Sequence, residues 1–297
     1  MDARLKDILK PEVVNTVNGL ELIARIIVEG FMSGGNKSQS IGIGQEFSQY
    51  RNYEPGDDLR QLDWKMYARS ERYFIKQAEI ETNITVKFFI DASKSMAHEE
   101  DGISKLHFTK VITAGLAYLA RKQGDTFGLY TVNDNVTLTT EPRPEHQQFI
   151  RFLHHLVELQ AEGKWIKQNA EQLFNHHGKE LIVFISDLYD EEQDILNFIS
   201  RLKTVRNEVV VFHLLGKHEL NLDYQGSFAF KDLETDTIVK VDTLVQRKQY
   251  VQRVQDWIDK LKLAFLDKGI HYHLTSASDP VEEVLRNFLK GRKVLAG

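Results

Sequence analysis

Apolar and polar positions divide this chain into two styles. Leu20, Ile23, Ile27 and Phe31 recur at helical spacing, which predicts a helix through residues 20–28, closed by Gly30 and the Ser33-Gly34-Gly35-Asn36 cluster. A polar, glycine-punctuated stretch follows to about Ala68, with a turn at Pro55-Gly56-Asp57-Asp58, and Tyr73 to Ile75 begin an extended segment. From residue 84 the pattern alternates. Apolar β-rich runs at 84–91, 127–132, 181–185, 209–215 and 270–274 predict strands. Amphipathic stretches at 104–122, 145–159, 167–174, 191–203, 243–268 and 280–290 predict helices. Val136 to Thr139 reads as a hairpin partner for the second strand, turning at Asn133-Asp134-Asn135, and 228–241 as a small hairpin. Leu244, Val251, Val254, Ile258, Leu261 and Phe265 form one stripe near helical spacing, expected to pack on the sheet.

Strands separated by helices imply right-handed crossovers, hence an α/β fold with a doubly wound, mostly parallel sheet. The expected division is an N-terminal docking segment, 1–83, and an α/β domain, 84–297. In such sheets function lies at the carboxyl ends of the strands. There the first strand runs into Asp91-Ala92-Ser93-Lys94-Ser95-Met96 and the central one into Ser186-Asp187. Asp91, Ser93, Ser95 and Asp187 are hard oxygen donors. They make a plausible site for Mg²⁺ or Mn²⁺, and a poor one for zinc or copper. The alternative is that Asp91 and Ser93 only cap the following turn.

This motif resembles the metal-ion-dependent adhesion site of von Willebrand factor type A domains. The resemblance makes Asp91, Ser93 and Ser95 first-loop ligands and Asp187 the third-loop acid. The second loop of that family supplies a threonine after a glycine. The matching stretch, Ala161-Glu162-Gly163-Lys164-Trp165, has none, which points to weakened or absent metal binding with a lysine nearby; the Lys164 amine in the place of a cation would mark the metal-free scaffold. Upstream, Gly42-Ile43-Gly44-Gln45-Glu46-Phe47, the run Arg51 to Trp64, Ala68-Arg69, Lys76 and Glu81-Thr82-Asn83 look like the signature of the domain-of-unknown-function 58 family. That resemblance implies a MoxR-type AAA+ ATPase partner, an unidentified protein client and a role in complex assembly or metal insertion. Arg51, Asp57, Asp58, Arg60, Asp63 and Trp64 are the candidate partner-binding residues. For most of them the alternating charges better suit a salt-bridged turn that docks the segment onto the α/β domain.

Composition narrows the classes. The 297 residues carry 38 Lys+Arg against 43 Asp+Glu, a net charge of −5, which argues against a protein built mainly to grip nucleic acid. Without cysteine there are no disulfides, thiolate metal sites or cysteine nucleophiles. No apolar run reaches the roughly 18–20 residues of a membrane span, and the first residues lack a secretory apolar core, so a cytoplasmic protein is expected. Gly30 to Ser38 is not a phosphate loop, because Asn36 separates glycine from lysine and a helix precedes it. No G-x-S-x-G elbow is present. His271 and His273 share a strand face but form an incomplete metal site, and the pairs His154-His155 and His176-His177 read as surface. The expectation is a non-enzymatic interaction module with a full or degenerate cation site. The alternatives are a metal-dependent phosphoester hydrolase, for which no base stands out, and a metal-free scaffold.

Overall fold

The structure is a computed structural model. It describes residues 10–33, 50–53, 64–76, 84–134, 139–145, 147–165, 179–189 and 192–295. The chain opens with a helical turn, α1 (Pro11–Val14), and a helix, α2 (Val17–Ser33). Leu20, Ile23 and Ile27 are buried on one face of α2, as the spacing predicts. Gly30 does not stop this helix. A Cβ there would meet nothing, and packing of the buried face outweighs the modest propensity cost. Next come β1 (Tyr50–Asn52), α3 (Trp64–Ser70) and β2 (Phe74–Lys76), with β1 and β2 paired antiparallel.

The α/β body then follows: β3 (Thr85–Asp91), the short pair β4 (Glu99–Glu100) and β5 (Ile103–Ser104), α4 (Lys105–Lys122), β6 (Thr126–Val132), β7 (Thr139–Thr140) and α5 (Gln148–Glu158). Beyond them lie β8 (Glu180–Ser186), α6 (Glu192–Leu202), β9 (Asn207–Leu215), α7 (Lys217–Asn221), the hairpin β10 (Ser227–Lys231) and β11 (Ile238–Asp242), α8 (Thr243–Asp267), β12 (His271–Ser276) and α9 (Val281–Leu295). Among the described residues the main sheet has the order β12-β9-β8-β3-β6-β7, five parallel strands with β7 antiparallel at one edge. Of the predicted partner strand 136–139, only Thr139 lies in the described residues, in β7; 135–138 lie outside them, as does the helix expected at 167–174.

Strand alternation feeds two cores. Val86, Phe88 and Ile90 of β3 face α2, α4, α5 and α9, while Phe89 faces the side of α6 and α8. Helices therefore cover both faces. Helix α2, from the segment read as N-terminal, is part of the first core. The stripe on α8 is buried only in its later half. Ile258, Leu261 and Phe265 are covered, whereas Leu244 is 73% exposed, because the first turns of α8 run beside the β10–β11 hairpin instead of the sheet. His273 is half-buried between Phe212 and Phe288, and burial lowers its pKa, so this imidazole is a packing residue. No helix among the described residues is long and apolar enough to cross a membrane.

Candidate functional site

Strand order reverses at β3. The chain steps from β3 to β6 on one side and later returns to β8 on the other. The crevice at the carboxyl ends of β3 and β8 is therefore the switch point of the sheet. In-register pairing, with Ile90 opposite Ile185, brings the ends of these strands level. Asp91 and the pair Ser186-Asp187 consequently meet, although they lie far apart in sequence.

The four residues singled out in the sequence come together here. Asp91 Oδ1 accepts hydrogen bonds from the Ser93 amide at 2.9 Å and the Ser93 hydroxyl at 2.7 Å. Ser93 and Ser95 hydroxyls are 3.0 Å apart, and Ser95 donates to Asp187 Oδ1 at 3.1 Å. Asp91, Ser93 and Asp187 are buried, and Ser95 borders solvent. The turn-capping bond and the convergence coexist, since Ser93 serves both.

The second-loop stretch also lies against the motif. The Glu162 amide donates to the Ala92 carbonyl at 2.8 Å and the Lys94 amide to the Gly163 carbonyl at 3.1 Å. Asn133, read as a turn residue, is buried and links the two loops. Its side-chain amide donates to the carbonyls of Ala92 and Glu162. Trp165 is buried in the second core. Lys164 is exposed, its amide donating to Asp134 Oδ1, and its side chain does not occupy the cation position. The ammonium at the site belongs to Lys105.

Lys105 is the first residue of α4, preceded by the N-cap Ser104. A lysine here opposes the helix dipole, so its charge needs anions nearby. Its Nζ lies 2.7 Å from Asp187 Oδ2 and 2.7 Å from Glu219 Oε1, with its side chain 2% exposed. The ring of Tyr189 completes the surround at 4.9 Å. Burial pulls this ammonium's pKa down, but Asp187 and Glu219 outweigh it and the net shift is upward.

Among the described residues Asp91 has no such partner; its donors there are the Ser93 amide and the hydroxyls of Ser93 and Ser186, the last at 2.5 Å from Oδ2. Burial, and next the charge of Asp187, push its carboxyl up to about 7, against the pull of those hydrogen bonds. His213 supports the far side. Nε2 meets the Asp187 carbonyl at 3.0 Å and Nδ1 the Tyr272 hydroxyl at 2.5 Å. Burial drops this imidazole to about 4, so it stays neutral.

Beside the cluster opens a cavity of about 810 Å³, lined by Ser95, Lys105, Tyr189, Glu219, Tyr250 and Trp257 among others. The Tyr189 and Trp257 rings stack at 5.3 Å, and the Tyr250 hydroxyl donates to the Glu219 carbonyl. The lobe from 216 to 250 thus walls one side of the crevice. Glu100 fastens it by accepting from the His218 amide. A Cβ at Gly216 would stand 2.0 Å from Glu100 Oε1, so glycine is what allows this approach.

Sequence reading missed Lys105, His213 and Glu219, and it placed Ser186 at the strand end without giving it a role. One signal was available: a lysine directly after an N-cap serine, where acids are the usual choice. Of the candidate partner-binding residues, Asp57, Asp58, Arg60 and Asp63 lie outside the described residues. Arg51 is in β1 opposite Ile75. Trp64 opens α3, 61% exposed, with its ring edge-on to Tyr67.

The sequence model of the family described as "Protein of unknown function DUF58" matches residues 49–257. Uncharacterized protein Rv1480 of Mycobacterium tuberculosis and Uncharacterized protein Mb1516 of Mycobacterium bovis are each 20% identical over 239 residues, 78% of this chain and 74% of theirs. Among solved structures, the SpRpn10 VWA domain aligns with a TM-score of 0.42 at 13% identity, over 70% of this chain and 95% of that one. The conserved hypothetical protein BatB from Bacteroides thetaiotaomicron aligns with a TM-score of 0.41 at 12% identity, over 70% and 98%.

Proposed function

The chain belongs to the family described as "Protein of unknown function DUF58", and from that premise we propose that it is a non-enzymatic interaction module that engages a protein partner at the carboxyl ends of β3 and β8. The partner proposed is a MoxR-type AAA+ ATPase, with a protein client delivered through it, in the cytoplasm. Residues 1–83 serve as the docking segment of the 84–297 domain.

One observation carries the reading. Segments 95 positions apart, Asp91 and Ser186, meet in a buried, hydrogen-bonded oxygen cluster that borders an open cavity. Structural caps need no such convergence, whereas a recognition site does.

The donor set fits Mg²⁺ or Mn²⁺. Asp91, Ser93, Ser95 and Asp187 offer hydroxyl and carboxylate oxygen only, the choice of hard cations. The carboxylates of Asp187 and Glu219 share the ammonium of Lys105, which leaves negative charge to be compensated. A bound ion would supply a positive charge for a carboxylate of the partner. The Ser93 and Ser95 hydroxyls would hold the ion with Asp187, and Ser186 and the Ser93 amide keep Asp91 oriented.

The test is calorimetric binding of the purified ATPase with Mg²⁺ present, to the wild type, to Asp91→Ala with Ser95→Ala, and to the exposed control Lys248→Ala. The proposal expects binding to be lost in the double variant and kept in the control. Equal affinity in all three would refute it.

A further inference from the structure

We propose that Lys105 is the resident cation of the strand-end site, and that its hold on Asp187 sets how tightly the site takes a divalent ion. This inference rests on reading Asp91, Ser93, Ser95 and Asp187 as cation ligands.

The two oxygens of Asp187 are divided between two tasks. Oδ1 faces the hydroxyl of Ser95 and the amide of Tyr189, on the side of the oxygen cluster. Oδ2 is taken by the Lys105 ammonium at 2.7 Å. The lysine is not a loose surface chain that swings in by chance. Its second anion, Glu219, is itself fixed, with Oε2 accepting from the Gly216 amide at 2.6 Å and its carbonyl from Tyr250. The ammonium is thus held between the end of β8 and the helix α7, and its stem is buried.

A fixed positive charge on one oxygen of a carboxylate weakens what the other oxygen offers to a second cation, and in a buried setting little solvent screens the two charges from each other. An ion at the oxygen cluster and the ammonium on Oδ2 therefore compete for Asp187. Glu219 modulates the contest. With its charge present, Lys105 is shared between two carboxylates. Without it, Lys105 leans on Asp187 alone. The two substitutions act in opposite directions. Loss of the lysine tightens ion binding, and loss of the Glu219 charge weakens it.

The experiment is calorimetric titration of Mg²⁺ at fixed pH and ionic strength into the full chain. The proteins are the wild type, Lys105→Met, Glu219→Gln and Lys94→Gln, with thermal melting to confirm folding. Lys94 is an exposed lysine inside the motif itself and reports the effect of removing any nearby positive charge. The expected result is at least roughly tenfold tighter binding in Lys105→Met, weaker binding in Glu219→Gln, and a change under about twofold for Lys94→Gln. Tightening seen only once the lysine is removed, with no uptake by the wild type, supports the inference and limits the ion reading to the variant. Equal affinity of Lys105→Met and the wild type overturns the inference and leaves the ion site standing. No uptake by any of the four overturns both. If Lys105→Met does not melt cooperatively, Glu219→Gln decides, and an affinity equal to the wild type overturns the inference.

Discussion

Lys105 and Lys110 stand on the same helix, more than a turn apart, and both are buried. They differ in what meets the ammonium. Lys105 lies between two carboxylates and its pKa is raised. Lys110 donates to the Val157 carbonyl at 2.9 Å, and burial pulls its pKa down to about 8. Burial of a lysine therefore says little by itself. A carbonyl tolerates a charge that the protein would sooner lose, whereas paired carboxylates hold one in place. Lys105 is a built-in cation, and Lys110 is a long apolar stem whose head finds a hydrogen bond.

The comparison is broken most directly by removing each head group. Lys105→Met leaves Asp187 buried without its counter-ion, an expected loss of about 3–5 kcal/mol in urea unfolding. Lys110→Met, at neutral pH, is expected to be neutral or stabilising, because it removes a charge that burial disfavours. Equal losses would erase the distinction between the two lysines.

The next effect is one of pH. Lys110 loses its proton near pH 8 when folded and near 10.5 when unfolded. Between these values the unfolded state binds more protons, so stability rises with pH, by up to about 3 kcal/mol. Lys110→Met should flatten that rise. Lys105 has the opposite sign: its contribution is complete below 10.5 and is lost as pH rises beyond it. Urea midpoints from pH 7 to 10.5 for the wild type and Lys110→Met measure the first effect. An undiminished rise in the variant would show that another group is responsible.

Glu219→Gln is expected to cost about 1–2 kcal/mol, less than loss of Lys105, since Asp187 still neutralises the ammonium and the Glu219 side chain is 17% exposed. A loss as large as that of Lys105→Met would make Glu219, and not Asp187, the main counter-ion. The smallest effect is at the other end of the chain. Trp64→Ala should change stability by less than about 0.5 kcal/mol, because the ring is largely in solvent. Weaker binding of the ATPase at unchanged stability would mark Trp64 as part of a partner surface, and a clearly larger stability loss at unchanged binding would mark it as a docking residue.

The fold was legible where hydrophobic pattern and local chemistry agree. The run 84–91 is apolar and ends in an acid, which announces both a buried strand and an acid at its carboxyl end, and 181–185 followed by Ser186-Asp187 does the same. The long α8 was only half legible. Its stripe tells which face seeks cover but not how far the sheet extends, and Leu244 and Val245 lie beyond it. Lys105 was legible only as an odd charge beside an N-cap serine, and its role was not. Its partners Asp187 and Glu219 are 82 and 114 positions away, and nothing local records that the strand order brings them to one point. Lys164 sits in the right loop but faces solvent, because its neighbour Trp165 takes the buried direction.

The central claim, that the β3 and β8 ends form a cation-dependent recognition site, is tested most directly by titrating Mg²⁺ into the wild type and Asp91→Ala by calorimetry. The account predicts saturable binding at a single site in the wild type and none in Asp91→Ala. Identical heats from the two proteins would contradict it.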